Sequence, residues 1–244
     1  MPSCPKCGYQ VSEGALYCPV CGQSQALDLA SDDSSSLRTL PTLPLANYIK
    51  IGWDLFKQYP YGFISFCLLN ILFQVLLHFI PILGSLLSGI VSPALMMGNF
   101  IVAAKLLHRQ TPQFRDFFSG FSFFWPLLLV SAVSSIFIGI GLILFIIPGV
   151  YLAVGYLFSS GLVVDRRLDF WTALEMSRRT VTPLWFTVFA FLVLLILINL
   201  VGVLLLGLGL LASIPISFCA WTVAFQDLFG FRSDYSQEVP RLKD

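Results

Sequence analysis

Three long stretches of this chain, 58–104, 117–164 and 180–226, contain no Asp, Glu, Lys or Arg. Each is about twice the roughly 20 residues needed to cross a bilayer's hydrocarbon core. The 14 basic and 13 acidic residues are confined to the amino-terminal region, to lead-in segments before the apolar runs, to connections 105–116 and 165–179, and to the end from Asp227. Ionised groups are costly in hydrocarbon, so each stretch is expected to be a pair of membrane-crossing helices joined by an uncharged turn. With 57% hydrophobic residues, 11% charged residues and a mean hydropathy of +0.85, the chain lies far from the soluble norm of about 25% charged. A water-soluble globule is excluded.

The expected fold class is an all-α integral membrane protein of six transmembrane helices in three hairpins, each preceded by an amphipathic interfacial helix. A small zinc ribbon stands at the amino terminus. The domains are a ribbon over 1–23, a disordered linker over 24–46 rich in Ser, Asp and Pro, a six-span domain over 47–230 and a tail over 231–244. The first thirty residues carry no apolar stretch of signal-peptide type, so the ribbon is expected to stay in the mature chain.

The ribbon rests on two C-P-x-C-G turns, with Cys4, Cys7, Cys18 and Cys21. Each C-x-x-C turn presents two thiolates to one side of a tetrahedral Zn2+ ion, and the glycine after it permits the bend. A redox pair would need only one such motif, and neither sits in a thioredoxin-like βαβ context. The expected cofactor is structural zinc. Thiolate ligands favour a reducing compartment. Lys6 opposite Glu13 is a poor electrostatic footprint for phosphate, so no nucleic-acid partner is expected. Cys67 and Cys219 fall within apolar runs and read as small buried side chains.

Each of three repeated units has a charged amphipathic lead-in, an apolar run, an uncharged turn and a second apolar run containing a proline: Pro93, Pro148 or Pro215. These prolines are expected at a similar depth, as packing kinks or as helix breaks lining a cavity. In the first lead-in, Lys50, Asp54 and Lys57 form a polar stripe opposite Ile49, Trp53 and Phe56. In the third, Asp169 caps a helix in which Glu175 precedes Arg178 and Arg179. All three are expected to lie along the membrane surface.

Lysine and arginine are retained on the cytoplasmic side, so both termini are expected in the cytosol. No ionisable carboxylate or amine lies at mid-membrane, which argues against an ion-coupled transporter. Lys105 and Asp227, near the ends of the second and sixth spans, are expected to pair or to snorkel. Asn70, Gln74 and His78 follow an i, i+4, i+8 progression along one helix face, and Asn99 and Asn199 add uncharged polar groups elsewhere. They serve interhelical hydrogen bonds or a polar path. No nucleophile elbow, phosphate loop, metalloprotease motif or converging carboxylate pair is present, so the chain is read as non-enzymatic.

The segment 146–185, with Pro148-Gly149 opening a span, then Asp165, Ala173 and Ser177, and the closing AFQDLFG of 224–230, resembles a broad group of uncharacterised bacterial membrane proteins. That group is similar to the membrane domain attached to some glycerophosphodiester phosphodiesterases. The likeness covers about 47–230 and implies a bacterial inner-membrane location. The phosphodiesterase catalytic domain has no counterpart in this sequence, so no hydrolase activity is implied. The expected function is a non-enzymatic inner-membrane protein whose cytosolic ribbon docks a protein partner while the spans anchor it among membrane lipid. The alternative is a transporter or flippase-like conduit for an uncharged or amphiphilic solute.

Overall fold

The structure is a computed structural model and describes residues 45–205, 207 and 209–231. The ribbon, nearly all of the linker and nearly all of the tail lie outside the described residues. The described chain is helical: α1 (Leu45–Gln58), α2 (Pro60–His78), α3 (Pro81–Leu107), a 3₁₀ segment (Phe114–Phe123), α4 (Phe124–Leu144), α5 (Ile146–Gly155), α6 (Ser159–Arg166), α7 (Phe170–Val181), a 3₁₀ turn (Thr182–Leu184), α8 (Trp185–Leu204) and α9 (Leu210–Phe229). Six helical stretches are long and apolar enough to cross a membrane: Pro60–His78, Leu83–Leu107, Phe114–Leu144, Ile146–Arg166, Phe170–Leu204 and Leu210–Phe229. Local chemistry sets several of their ends. Pro60 and Pro81 open α2 and α3 from the first turn, where a missing N–H costs nothing. Asp169 accepts from the Thr172 amide at 3.1 Å and caps α7. Gly230 at φ 65° ends α9.

Successive spans pack in pairs, α2 on α3, α4 on α5 and α8 on α9. Glycine lets two of these pairs touch backbone to backbone: a Cβ on Gly141 would lie 2.9 Å from Gly149 Cα, and one on Gly209 would lie 2.8 Å from Gly202 Cα. The pairs are then joined in a ring by their lead-ins. The 3₁₀ segment of the second unit packs on α3 of the first, α7 of the third packs on α5 and α6 of the second, and α1 of the first packs on α9 of the third. Ser177 of α7 donates to the Gly155 carbonyl at 2.7 Å across one seam. Gly52 of α1 faces the Ala220 backbone across another.

Where the second spans converge, Phe100, Phe158 and Phe225 are fully buried with Trp221 among them. Phe100 lies 5.1 Å from Trp221 and 5.2 Å from Phe225, and Phe158 stacks on Trp221 at 5.7 Å between ring centroids. Away from this core, Leu72, Leu76, Phe145, Ile147 and Leu204 are exposed near the ends of the pairs. An apolar surface of that kind suits lipid and not water.

Three details differ from the sequence expectation. First, α3 and α9 run on through Pro93 and Pro215 without a break, while Pro148 is the third residue of α5. A missing amide at that N-terminal position removes no helical bond. The interruption in the second unit falls instead at 156–158, between α5 and α6, where the Phe158 amide donates to Ser177 at 3.3 Å. Second, the buried side of α1 is Tyr48, Gly52, Leu55 and Phe56, while Trp53 is exposed, so its apolar face is turned to α9. Third, Lys105 bonds Asp116 at 2.8 Å, and Asp227 accepts from the Tyr48 hydroxyl at 2.6 Å. The lead-ins that close the ring bring these nearer partners to the two charges.

Candidate functional site

Cys4, Cys7, Cys18 and Cys21 lie outside the described residues. Their chemistry, four thiols in two C-x-x-C motifs, fits tetrahedral zinc. Among the described residues no cluster of His, Cys, Asp or Glu could hold a metal.

The polar residues expected on one membrane face separate into distinct settings. Gln74 on α2 is gripped by two serines of α3. Ser88 donates to its Oε1 at 2.7 Å, its Nε2 donates to Ser92 at 3.2 Å, and Ser92 donates to the Ser88 carbonyl at 2.6 Å. Asn199 on α8 repeats the arrangement with α9. Ser213 donates to its Oδ1 at 3.0 Å, its Nδ2 donates to Ser217 at 2.8 Å, and Ser217 donates to the Ser213 carbonyl at 2.8 Å. Asn199, Ser213 and Ser217 each lie 125 positions after Gln74, Ser88 and Ser92. The first and third units therefore share an amide–hydroxyl clamp, in which the apolar surroundings leave every partner dependent on the others. Asn99 is buried on α3 beside Phe100, far along the helix from Ser92, and joins neither clamp.

Sequence reasoning missed the four serines. A signal was present: in both units an amide is followed by Ser at the fourteenth and eighteenth positions.

One turn beyond Gln74, His78 ends α2 and is exposed. Between it and the start of α3 lies an open cleft of about 470 Å³ lined by Gln74, Leu77, His78, Gly84, Ser85 and Ser88. Of the expected polar face, Gln74 and His78 line this cleft. Half-buried Asn70 lies a turn further back along α2.

At the opposite end, charged groups fasten the seams. Asp116 takes Lys105 on Oδ1 and the Gln113 amide on Oδ2 at 2.7 Å, so one buried carboxylate holds both the lead-in and α3. Burial, together with donation to Asp227, raises the Tyr48 phenol above its ordinary pKa and keeps it a neutral donor. Arg166 donates to the Phe229 carbonyl at 2.6 Å, satisfying one acceptor at the end of α9. Arg178 and Arg179 both bond Glu175 within α7. The carboxylates among these groups are tied to cations, amides or hydroxyls within or between helices, an arrangement suited to fastening.

The zinc-ribbon domain family matches residues 3–24. No curated protein and no solved structure matches the chain. The chain thus carries a zinc-ribbon segment, which suggests zinc binding, ahead of six helices apolar enough for a multi-pass membrane protein.

Proposed function

We propose that this is a non-enzymatic membrane anchor, in which three helical hairpins form a closed platform and the zinc ribbon, on its linker, docks a protein partner. The observation that carries this reading is the aromatic cluster of Phe100, Phe158, Trp221 and Phe225, which fills the centre where the second spans meet. A filled core suits a rigid support better than a passage. The distribution of Lys and Arg supports a threading with both termini in the cytosol, and the four thiols of the ribbon agree with a reducing side. The resemblance of about 47–230 to bacterial membrane domains supports a bacterial inner membrane. In this threading the lead-ins face the cytosol, with α1 linking the ribbon to the platform through its seat on α9.

The test is site-specific photocrosslinking in cells from Lys6 and Tyr9, in the native chain and in a variant with Cys4, Cys7, Cys18 and Cys21 changed to Ser. A protein adduct that disappears with the cysteines supports docking. An identical adduct pattern in both removes the ribbon's role.

The alternative, a conduit for an amphiphilic solute, draws its support from the polar cleft beside Gln74 and His78. Fluorescent phospholipid crossing between leaflets of reconstituted vesicles, faster with the protein than without it, would favour that reading over the anchor.

A further inference from the structure

We infer that the cleft between α2 and α3 binds the phosphate of a single membrane phospholipid, held by His78 and the side-chain amide of Gln74 while the acyl chains lie on the surrounding apolar surface. The cleft is about 470 Å³, open on one side and lined by Gln74, His78, Ser85 and Ser88 together with Leu77 and Gly84. Its flanks are apolar and exposed: Leu76, Phe79, Ile80, Leu83 and Leu86. A polar recess within a lipid-facing apolar surface matches an amphiphile, whose headgroup enters the recess and whose chains replace other lipid outside it.

The lining decides which headgroup. It offers an imidazole, an amide and hydroxyls and contains no carboxylate, so it suits an acceptor-rich, anionic group better than an ammonium. Phosphate oxygens accept from the imidazole and from the Gln74 Nε2 proton not given to Ser92, while the Ser88 hydroxyl stays with Gln74. The cleft also lies against the first turns of α3, a 27-residue helix whose N-terminal end carries partial positive charge.

The third hairpin is an internal control. It keeps the clamp of the first, with Asn199, Ser213 and Ser217 in place of Gln74, Ser88 and Ser92. At the same offset of 125 positions, His78 becomes Val203 and Ser85 becomes Leu210, while Gly84 is matched by Gly209. Clamping a hairpin therefore requires neither the imidazole nor the Ser85 hydroxyl. Both occur in the first hairpin, where they border the cleft.

The experiment uses the full-length chain in detergent, with phosphatidylglycerol added and then washed out, and lipid retention read by native mass spectrometry. Its comparison is the double variant His78→Val and Ser85→Leu, which gives the first hairpin the residues of the third. Retention of one phospholipid per chain by the native protein, and at least ten-fold less by the variant, is the expected result. Equal retention by both overturns the inference. A diacylglycerol retained as well as the phospholipid overturns the role of the phosphate. Inorganic phosphate in excess is expected to leave the lipid bound; displacement by it would make soluble phosphate the ligand and overturn the lipid assignment. Should the double variant unfold, His78→Phe alone, at an exposed position, makes the same comparison by filling the cleft.

Discussion

Gly98→Ala tests the seam between the first and second units. A Cβ at Gly98 would fall 2.7 Å from the Phe117 carbonyl carbon and 3.0 Å from its Cα, and closer still to the carbonyl oxygen. Carbon atoms normally rest about 3.5–4.0 Å apart, and the carbonyl oxygen is nearer still, so the 3₁₀ segment must retreat by more than about 1 Å. That retreat draws Asp116 from Lys105, now at 2.8 Å, and separates Phe117 from Phe66, stacked at 4.5 Å. Overpacking of this kind costs about 1–3 kcal/mol, and any Cα–H···O contact at the seam is lost for about 0.5–1 kcal/mol more. Alanine returns about 1 kcal/mol of helix propensity, leaving a net loss of roughly 0.5–3 kcal/mol. For a chain of this size that corresponds to a midpoint lowered by about 1–12 °C. The control is Gly139→Ala in α4, where the added Cβ has nothing within 4 Å and propensity alone predicts no loss, or a gain up to about 1 kcal/mol. Thermal unfolding in one detergent, followed by size-exclusion fluorescence, separates the two. If Gly98→Ala melts with or above the native protein while Gly139→Ala does the same, the seam is not close-packed and the lead-in does not hold the first and second units together.

Three further outcomes are expected. Removing Lys105 or Asp116 alone should destabilise by up to about 3–5 kcal/mol, because each leaves its largely buried partner without the ion pair. A double-mutant cycle on stability should find coupling between Lys105 and Asp116 and none between Lys105 and Asp227. Asp169→Ala should cost about 1 kcal/mol by uncapping α7. The bond from Thr172 lowers the Asp169 pKa below the ordinary carboxylate value. Its contribution is therefore complete above the unfolded pKa and is lost as pH falls toward the folded one, so melting of the native chain and of Asp169→Ala should converge in acid. Changing Cys4, Cys7, Cys18 and Cys21 to Ser should abolish bound zinc, measured by metal analysis, and leave the thermal midpoint of the helical domain unchanged.

Lys105 and Asp227, expected either to pair or to snorkel, do not pair, for an instructive reason. Both charges sit at corresponding ends of second spans, and Asp116, only eleven positions after Lys105, reads in the sequence as part of the next lead-in. Each is met by a lead-in from the next unit around the ring, Asp116 for the lysine and Tyr48 for the aspartate. The same adjacency turns α1 toward α9 and leaves Trp53, placed on the apolar face by periodicity, exposed. Periodicity finds that a helix has two faces, but the identity of the inward one depends on what packs there. The prolines teach a similar lesson: Pro148 looks like Pro93 and Pro215 along the chain, yet it falls in the first turn of its helix, where it breaks nothing.

Sequence alone determined the helical class, the six apolar stretches and the zinc-ribbon pattern of the amino terminus. Each of these follows from local chemistry: hydrocarbon rejects charge over the length of one span, and four closely spaced thiols need no distant partner. Tertiary structure decided the ring order, the aromatic centre, the serines that grip Gln74 and Asn199, and the cleft beside His78. These depend on contacts between helices far apart in the chain, where a glycine or a serine acquires its role only from the backbone brought against it.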